Sequence, residues 1–338
     1  MPKAFFLIRF SSLGDLVLTT ALVKKIHDEY PDSPLYFLTK DRFSNFVSQN
    51  FPHSRIHCLC LPKGFLSLIN LSRDFIKQLS QNKPSELIIL DLQGSFKSNL
   101  ICRLLNYFSK LKSINTLTKK SPKYNLRRSL SIILHKDLLP KRKVYLEHLA
   151  LLPQSKHYPP TLKVSKKRKA PLKILLAPDA QHWKKRWPDE NWLRLIEMLK
   201  EEKIEMTLVG DRKLFSDKLN LNSDEKHIHN LLGKTKLSDL TNIAAEHHLC
   251  VCSNSAWLHI SEATGTPVLS LAGPIPPGFG FSPWKSESRE LSENLFCKPC
   301  SKHGQGFCFR IGKNHHRCMK AFTPEILFHE IKEILKKC

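Results

Sequence analysis

A chain of 338 residues has room for about two ordinary domains, and 41% hydrophobic with 25% charged residues is the composition of a folded globular protein. Twelve glycines are too few for a collagen-like or Gly-rich disordered chain. Fifty-four Lys and Arg against 30 Asp and Glu leave a net charge of +24, a field that draws the protein toward phosphates, anionic lipids or nucleic acid.

The run Ala4 to Phe10 reads as a buried parallel strand, followed by the loop Ser11-Ser12-Leu13-Gly14-Asp15 and a helix with Val17, Leu18, Ala21, Leu22 and Ile26 on one face. Arg9 breaks the first apolar run, which is shorter than the roughly 7 to 15 residues of a signal h-region. No other run approaches the roughly 18 apolar residues of a spanning helix, so a cytoplasmic protein is expected. Further strands are predicted at Leu35 to Thr39 and Leu87 to Leu92, the second ending in Gln93-Gly94-Ser95. From Lys97 to Lys143 the chain carries 13 bases and one acid, Asp137, which predicts an anion-facing surface. Only Tyr107, Phe108 and Tyr124 interleave with those bases, so a stacking platform for nucleic acid is the weaker reading.

The Lys/Arg-rich stretch Lys163 to Lys169, ahead of Pro171, predicts a linker between domains at 1–165 and 170–338. Beyond it the α/β alternation restarts: strands Lys173 to Ala177, Glu205 to Val209, Leu249 to Cys252 and Pro267 to Leu271, helices Glu190 to Glu201 and Ser255 to Thr264. A C-terminal helix, Pro324 to Lys337, begins on proline and puts Ile326, Leu327, Ile331, Ile334 and Leu335 on one face.

Ligands of open parallel sheets bind beyond the carboxyl ends of the strands, which singles out four loops. In the first, Asp15 is either a helix cap or a catalytic carboxylate. In Pro178 to Pro188, Lys184, Lys185 and Arg186 lie between Trp183 and Trp187, as suits phosphate binding. Ser253-Asn254-Ser255 opens a helix whose first N–H groups can face an anion, with His259 one turn inside. Gly273-Pro274-Ile275-Pro276-Pro277 is a rigid turn after a buried strand.

Taken in order, Ile8-Arg9-Phe10-Ser11-Ser12-Leu13-Gly14-Asp15, Asp91-Leu92-Gln93-Gly94-Ser95 with Ser98, Lys185-Arg186-Trp187-Pro188, Leu232-Gly233-Lys234-Thr235, Asn254-Ser255-Ala256 with His259, and Gly273-Pro274 resemble glycosyltransferase family 9, the heptosyltransferases of lipopolysaccharide core assembly. The resemblance implies a GT-B fold, two Rossmann-like domains facing across a cleft, the first binding the acceptor and the second the nucleotide sugar. It implies inverting transfer of heptose from ADP-heptose to Kdo-lipid A or heptosyl-Kdo-lipid A, with no cofactor and no metal, at the anionic inner face of the cytoplasmic membrane. Asp15 would then be the base, and Lys185 with the helix terminus at Ser255 would meet the leaving ADP. Donor contacts are expected at Ser12, Gly14, Gln181, Lys185, Asn254, Ser255, Ala256 and His259, and acceptor contacts at Ser11, Gln93, Lys97 and Ser98. Where the family usually carries Asp, this chain has Asn254. A family member with another nucleotide sugar or acceptor is therefore the alternative, and a nucleic-acid-binding protein the distant one.

Cys297-x2-Cys300-x7-Cys308-x9-Cys318 has one pair at zinc spacing but lacks the second tight pair of a structural zinc module. Free thiols or a loop staple stand beside zinc as readings.

Overall fold

The computed structural model describes residues 2–53, 55–81, 84–109, 113–118, 122–140, 143–153, 156–165, 168–211 and 227–336. The chain divides into two compact units, Met1–Lys123 with Val144–Lys163, and Tyr124–Lys143 with Val164–Cys338.

The first unit is built on strands β1 (Ala4–Ile8), β2 (Leu35–Thr39), β3 (Ile56–Cys60), β4 (Leu87–Asp91) and β5 (Ile114–Thr118). All pair in parallel, in the order β3-β2-β1-β4-β5. Helices α1 (Leu13–Glu29), α2 (Asp41–Asn50), α3 (Phe65–Gln81) and α4 (Phe96–Phe108) alternate with the strands, and α6 (Val144–Leu149) returns to this unit. Because helices cover a parallel sheet on its faces, β1, β2 and β4 are apolar and buried at nearly every position. Phe6, Ile8, Leu38, Ile89 and Ile101 form its core, where the Phe75 ring lies 4.7 Å from Phe6 and 4.8 Å from Tyr36.

The second unit has strands β6 (Lys173–Ala177), β7 (Glu205–Leu208), β8 (Ile228–Asn230), β9 (Leu249–Ser253), β10 (Val268–Leu271) and β11 (Arg289–Leu291), in the order β11-β10-β9-β6-β7-β8 and again parallel. Helix α5 (Pro122–Ile133) belongs here, with α7 (Asp189–Glu201), α8 (Leu240–Ala245), α9 (Ala256–Ala263), α10 (Arg317–Lys320) and α11 (Pro324–Leu335). Thr323 caps α11 by accepting from the Ile326 N–H, Pro324 opens it, and Leu327, Ile331 and Ile334 enter the core. That core also holds Trp187 and Trp192, packed edge to face at 5.1 Å, with the Trp187 indole N–H donating to Phe322 O at 2.8 Å.

One sequence boundary changes: residues 124–143 group with the C-terminal unit, although the sequence places them in the N-terminal domain. The cause is specific bonding. Asp137 Oδ2 accepts from the Gly278 N–H at 3.0 Å, Lys143 Nζ donates to Ser282 O and Pro283 O, and Leu139 packs with Ile275 and Phe279. Among the described residues no helix is long and apolar enough to cross a membrane.

Candidate active site

Each sheet reverses its winding once, between β1 and β4 in the first unit and between β6 and β9 in the second. At such a point two neighbouring loops diverge and leave space beyond the strand ends. Ile8 pairs with Asp91 and Ala177 with Cys252, so in each sheet the two loops spring from one level. These four loops carry most of the predicted site residues.

In the N-terminal unit, Asp15 stands at the third position of α1, and its Oδ2 accepts from Ser12 N at 3.2 Å and Ser12 Oγ at 3.0 Å. The same oxygen lies 2.5 Å from Arg9 Nη2. Arg9 is 8% exposed and also donates to Leu92 O, which ties the first loop to the second. Asp15 therefore does hold the helix start, while a charge-assisted bond fixes where its carboxylate sits. The second loop is organised by Asp91: Oδ1 accepts from Gln93 N at 2.9 Å and Gly94 N at 2.8 Å, and Oδ2 from Ser98 Oγ at 2.9 Å. Gln93 Oε1 accepts from Phe10 N at 3.1 Å, and Lys97 Nζ donates to Pro62 O at 3.0 Å. Ser98 is fully buried, bonded to Ser95 as well as Asp91. The expected acceptor contact at Ser98 is thus corrected: its hydroxyl is used inside the loop and has no surface to offer. Ser11 and Gln93 stay partly exposed at the loop tips.

In the C-terminal unit the three bases part company. Lys184, 2% exposed, turns inward, where Nζ donates to Phe307 O at 3.3 Å and Cys300 Sγ at 3.6 Å. Arg186 folds back on its own loop, donating to Ala180 O at 2.8 Å, with Asp179 3.8 Å away. Only Lys185 reaches the strand-end helix: its Nζ donates to Asn254 O at 3.0 Å and to Asn254 Oδ1 at 3.3 Å. Gly304, at φ +86°, lets the chain pass close by, since a Cβ there would fall 2.9 Å from Lys185 Cγ. Ser255 is the N-cap of α9, yet its side chain caps no N–H and its buried Oγ has no hydrogen-bond partner. The first turn of α9, opening at Ala256, thus presents backbone donors and the positive end of its dipole next to the Lys185 ammonium. Gln181 is exposed on the same loop as Lys185. His182, also on it, is held below the usual histidine range by burial and by Lys185 and Arg186.

His259 is buried on α9 and stacks flat on Trp284, ring centroids 6.0 Å apart and planes 5° from parallel. Trp284 is held by Glu262, whose carboxylate accepts from the Trp284 and Lys285 N–H groups at 2.8 to 3.0 Å. Burial raises the Glu262 carboxyl above the ordinary glutamate range, against the pull of those N–H groups and of Lys143. Arg9, Asp91, Glu262 and Trp284 support the candidate-site residues, and the sequence reading gave them no individual role. For Arg9 and Asp91 a signal existed, a charge at the very end of an apolar strand. Glu262 and Trp284 meet only through the fold.

Cys297, Cys300, Cys308 and Cys318 line one small cavity as unbridged thiols, and Cys318 is pushed up to about 12, first by burial and then by Cys300. Among the described residues no three His, Cys, Asp or Glu side chains converge into a group able to hold a metal ion.

Residues 73–307 match the sequence pattern of glycosyltransferase family 9 (heptosyltransferase). A lipooligosaccharide heptosyltransferase 2 of Campylobacter jejuni subsp. jejuni serotype O:6 is 25% identical over 340 residues, covering 95% of this chain and 96% of that protein. A protein of the same name from Haemophilus influenzae is 25% identical over 163 residues, 45% of this chain and 44% of that one. Among solved structures, E. coli ADP-heptose lps heptosyltransferase II superposes with a TM-score of 0.70 at 19% identity, covering 100% of this chain and 99% of that one. E. coli heptosyltransferase WaaC with ADP gives 0.66 at 16% identity, covering 98% and 99%. The two parallel α/β sheets are accordingly those of a GT-B fold. With the family pattern spanning most of its length and the motifs in their loops, the chain belongs to glycosyltransferase family 9 and is a glycosyltransferase.

Proposed function

We propose that this enzyme transfers heptose from ADP-heptose to the phosphorylated inner core of lipopolysaccharide, with Kdo-lipid A or heptosyl-Kdo-lipid A as acceptor, at the inner face of the cytoplasmic membrane. The observation that carries the reading is the Lys185 ammonium at the N-terminal end of α9, 3.0 Å from Asn254 O. A fixed cation beside a helix N-terminus is built to receive a diphosphate, and it needs no reorganisation as charge develops on departing ADP.

In this mechanism Asp15 accepts the proton of the acceptor hydroxyl while its oxygen attacks the anomeric carbon from the face opposite ADP. The carbon–oxygen bond to the diphosphate breaks, the configuration inverts, and Lys185 with the α9 terminus takes up the charge of ADP without a metal ion. Ser12, Gly14, Gln181, Asn254, Ser255, Ala256 and His259 are assigned to the donor, and Ser11, Gln93 and Lys97 to the acceptor. The Campylobacter and Haemophilus relatives, both named heptosyltransferase 2, support the acceptor that already carries one heptose.

The test is ADP release and product mass with ADP-heptose and Kdo-lipid A carrying zero or one heptose, in the presence of a chelator. Asp15→Asn should lower turnover by at least about 100-fold and leave donor affinity nearly unchanged. Unchanged turnover would reduce Asp15 to its helix-capping role. One observation favours a second reading: Asn254 places an amide, not a carboxylate, against Lys185. If ADP-heptose survives intact with both acceptors, a panel of other nucleotide sugars decides for a different donor.

A further inference from the structure

Helix α5 (Pro122–Ile133) has one packed side and one bare side. Tyr124 and Ile132 pack on the cluster of Leu139, Ile275 and Phe279, Ser131 is fully buried, and the Arg128 guanidinium lies 5.6 Å from the Tyr124 ring. The opposite side carries Leu126, Leu130 and Ile133 at positions i, i+4 and i+7, with Leu134 just past the helix end. Their exposures are 62%, 38%, 70% and 59%. An amphipathic helix of a globular unit turns such a stripe inward; here it faces out.

The charges around the stripe identify what covers it. Arg127 and Lys136 are exposed beside it, and from Lys97 to Lys136 the sequence contains no acid. The next acid, Asp137, is bonded to the Gly278 N–H. A second copy of this chain would bring base against base across the same face, at an unfavourable net charge of +24 on each partner. An anionic bilayer meets both demands, with phosphates for the bases and the acyl boundary for the leucines.

We propose that α5 lies in the plane of an anionic membrane, inserting Leu126, Leu130, Ile133 and Leu134 while Arg127 and Lys136 meet headgroup phosphates. This deepens the proposed function by naming the segment that holds the enzyme on the membrane, and rests on that reading for the choice of membrane. The test uses the full chain and sucrose-loaded phosphatidylcholine vesicles with and without about 30% phosphatidylglycerol. The protein should sediment with the anionic vesicles and be released as salt rises. The triple substitution Leu126→Gln, Leu130→Gln, Ile133→Gln should weaken association about tenfold or more, and Arg127→Glu severalfold without touching the apolar stripe. Transfer to a deacylated, water-soluble acceptor should be unchanged in the triple variant, because these side chains lie outside the catalytic and binding residues. The proposal is overturned if the triple variant sediments like its parent, or if the parent is a dimer that the substitutions convert to monomers. Absence of transfer in parent and variant alike, with the vesicle pattern intact, overturns the proposed reaction and leaves the membrane helix standing.

Discussion

Lys185 and Asn254 set the charge at the mouth of α9. Because Lys185 Nζ already lies 3.3 Å from Asn254 Oδ1, Asn254→Asp would turn an ammonium–amide hydrogen bond into an ion pair and cancel one positive charge where a diphosphate is expected. ADP affinity should fall about tenfold, by titration calorimetry, with a change in preference among nucleotide sugars. Identical affinity and preference would place residue 254 outside the donor site. The neighbouring bases show why this geometry was only half legible beforehand. Lys184, Lys185 and Arg186 are equivalent as letters, and the sequence marks the loop correctly as basic and Trp-flanked. Which of the three reaches the start of α9 depends on Phe307 O, Ala180 O and the close passage of Gly304, partners that come from the fold and not from local pattern.

At the level of elements, the Asp91 loop shows how a buried acid shapes a surface. Ser98→Ala would leave Asp91 Oδ2 without its hydroxyl donor in a site sealed from water, at a cost of about 1 to 3 kcal/mol in urea unfolding. A loss well below that would mean that another donor replaces it. His53, which follows α2, gives a second handle. It is 1% exposed, its Nδ1 accepts from the Arg55 N–H at 2.9 Å, and burial, aided by His27, Lys163, Arg55 and His57, lowers it to about 4. Between its unfolded value of 6.5 and about 4 the unfolded chain binds a proton that the folded one refuses, so stability falls as pH drops through this window. Above pH 6.5 the contribution is complete and constant. The loss should approach roughly 3 kcal/mol, and His53→Gln should remove that part of the slope. The strands divide by how well the sequence shows them. β1, β2, β4, β6, β9 and β10 are central, buried on both faces, and written as continuous apolar runs. β3, β5, β8 and β11 go unpredicted because they are the edge strands, where the exposed His57, Asn115 and His229 and the half-buried Glu290 break the pattern.

For the whole molecule, two separate cores and the proposed nucleotide site at Lys185 and the α9 terminus make a prediction that neither unit makes alone. The core around Phe6, Ile89 and Ile101 lies in the N-terminal unit, and the core around Trp187, Trp192 and Leu327 in the C-terminal one. If Lys185 and the α9 terminus receive ADP, bound ADP should slow amide exchange in residues 178–187 and 253–262 and leave strands β1, β2 and β4 at their unliganded rates. Ile89→Ala then provides the control. Its side chain is fully buried in the N-terminal core, so the substitution should cost about 2 to 5 kcal/mol and quicken exchange in that sheet. ADP affinity should stay within about twofold of the parent, since the residues assigned to the diphosphate all belong to the other unit. Protection by ADP concentrated in β1, β2 and β4, with residues 253–262 unchanged, would move the nucleotide to the N-terminal unit and reverse the assignment of donor and acceptor.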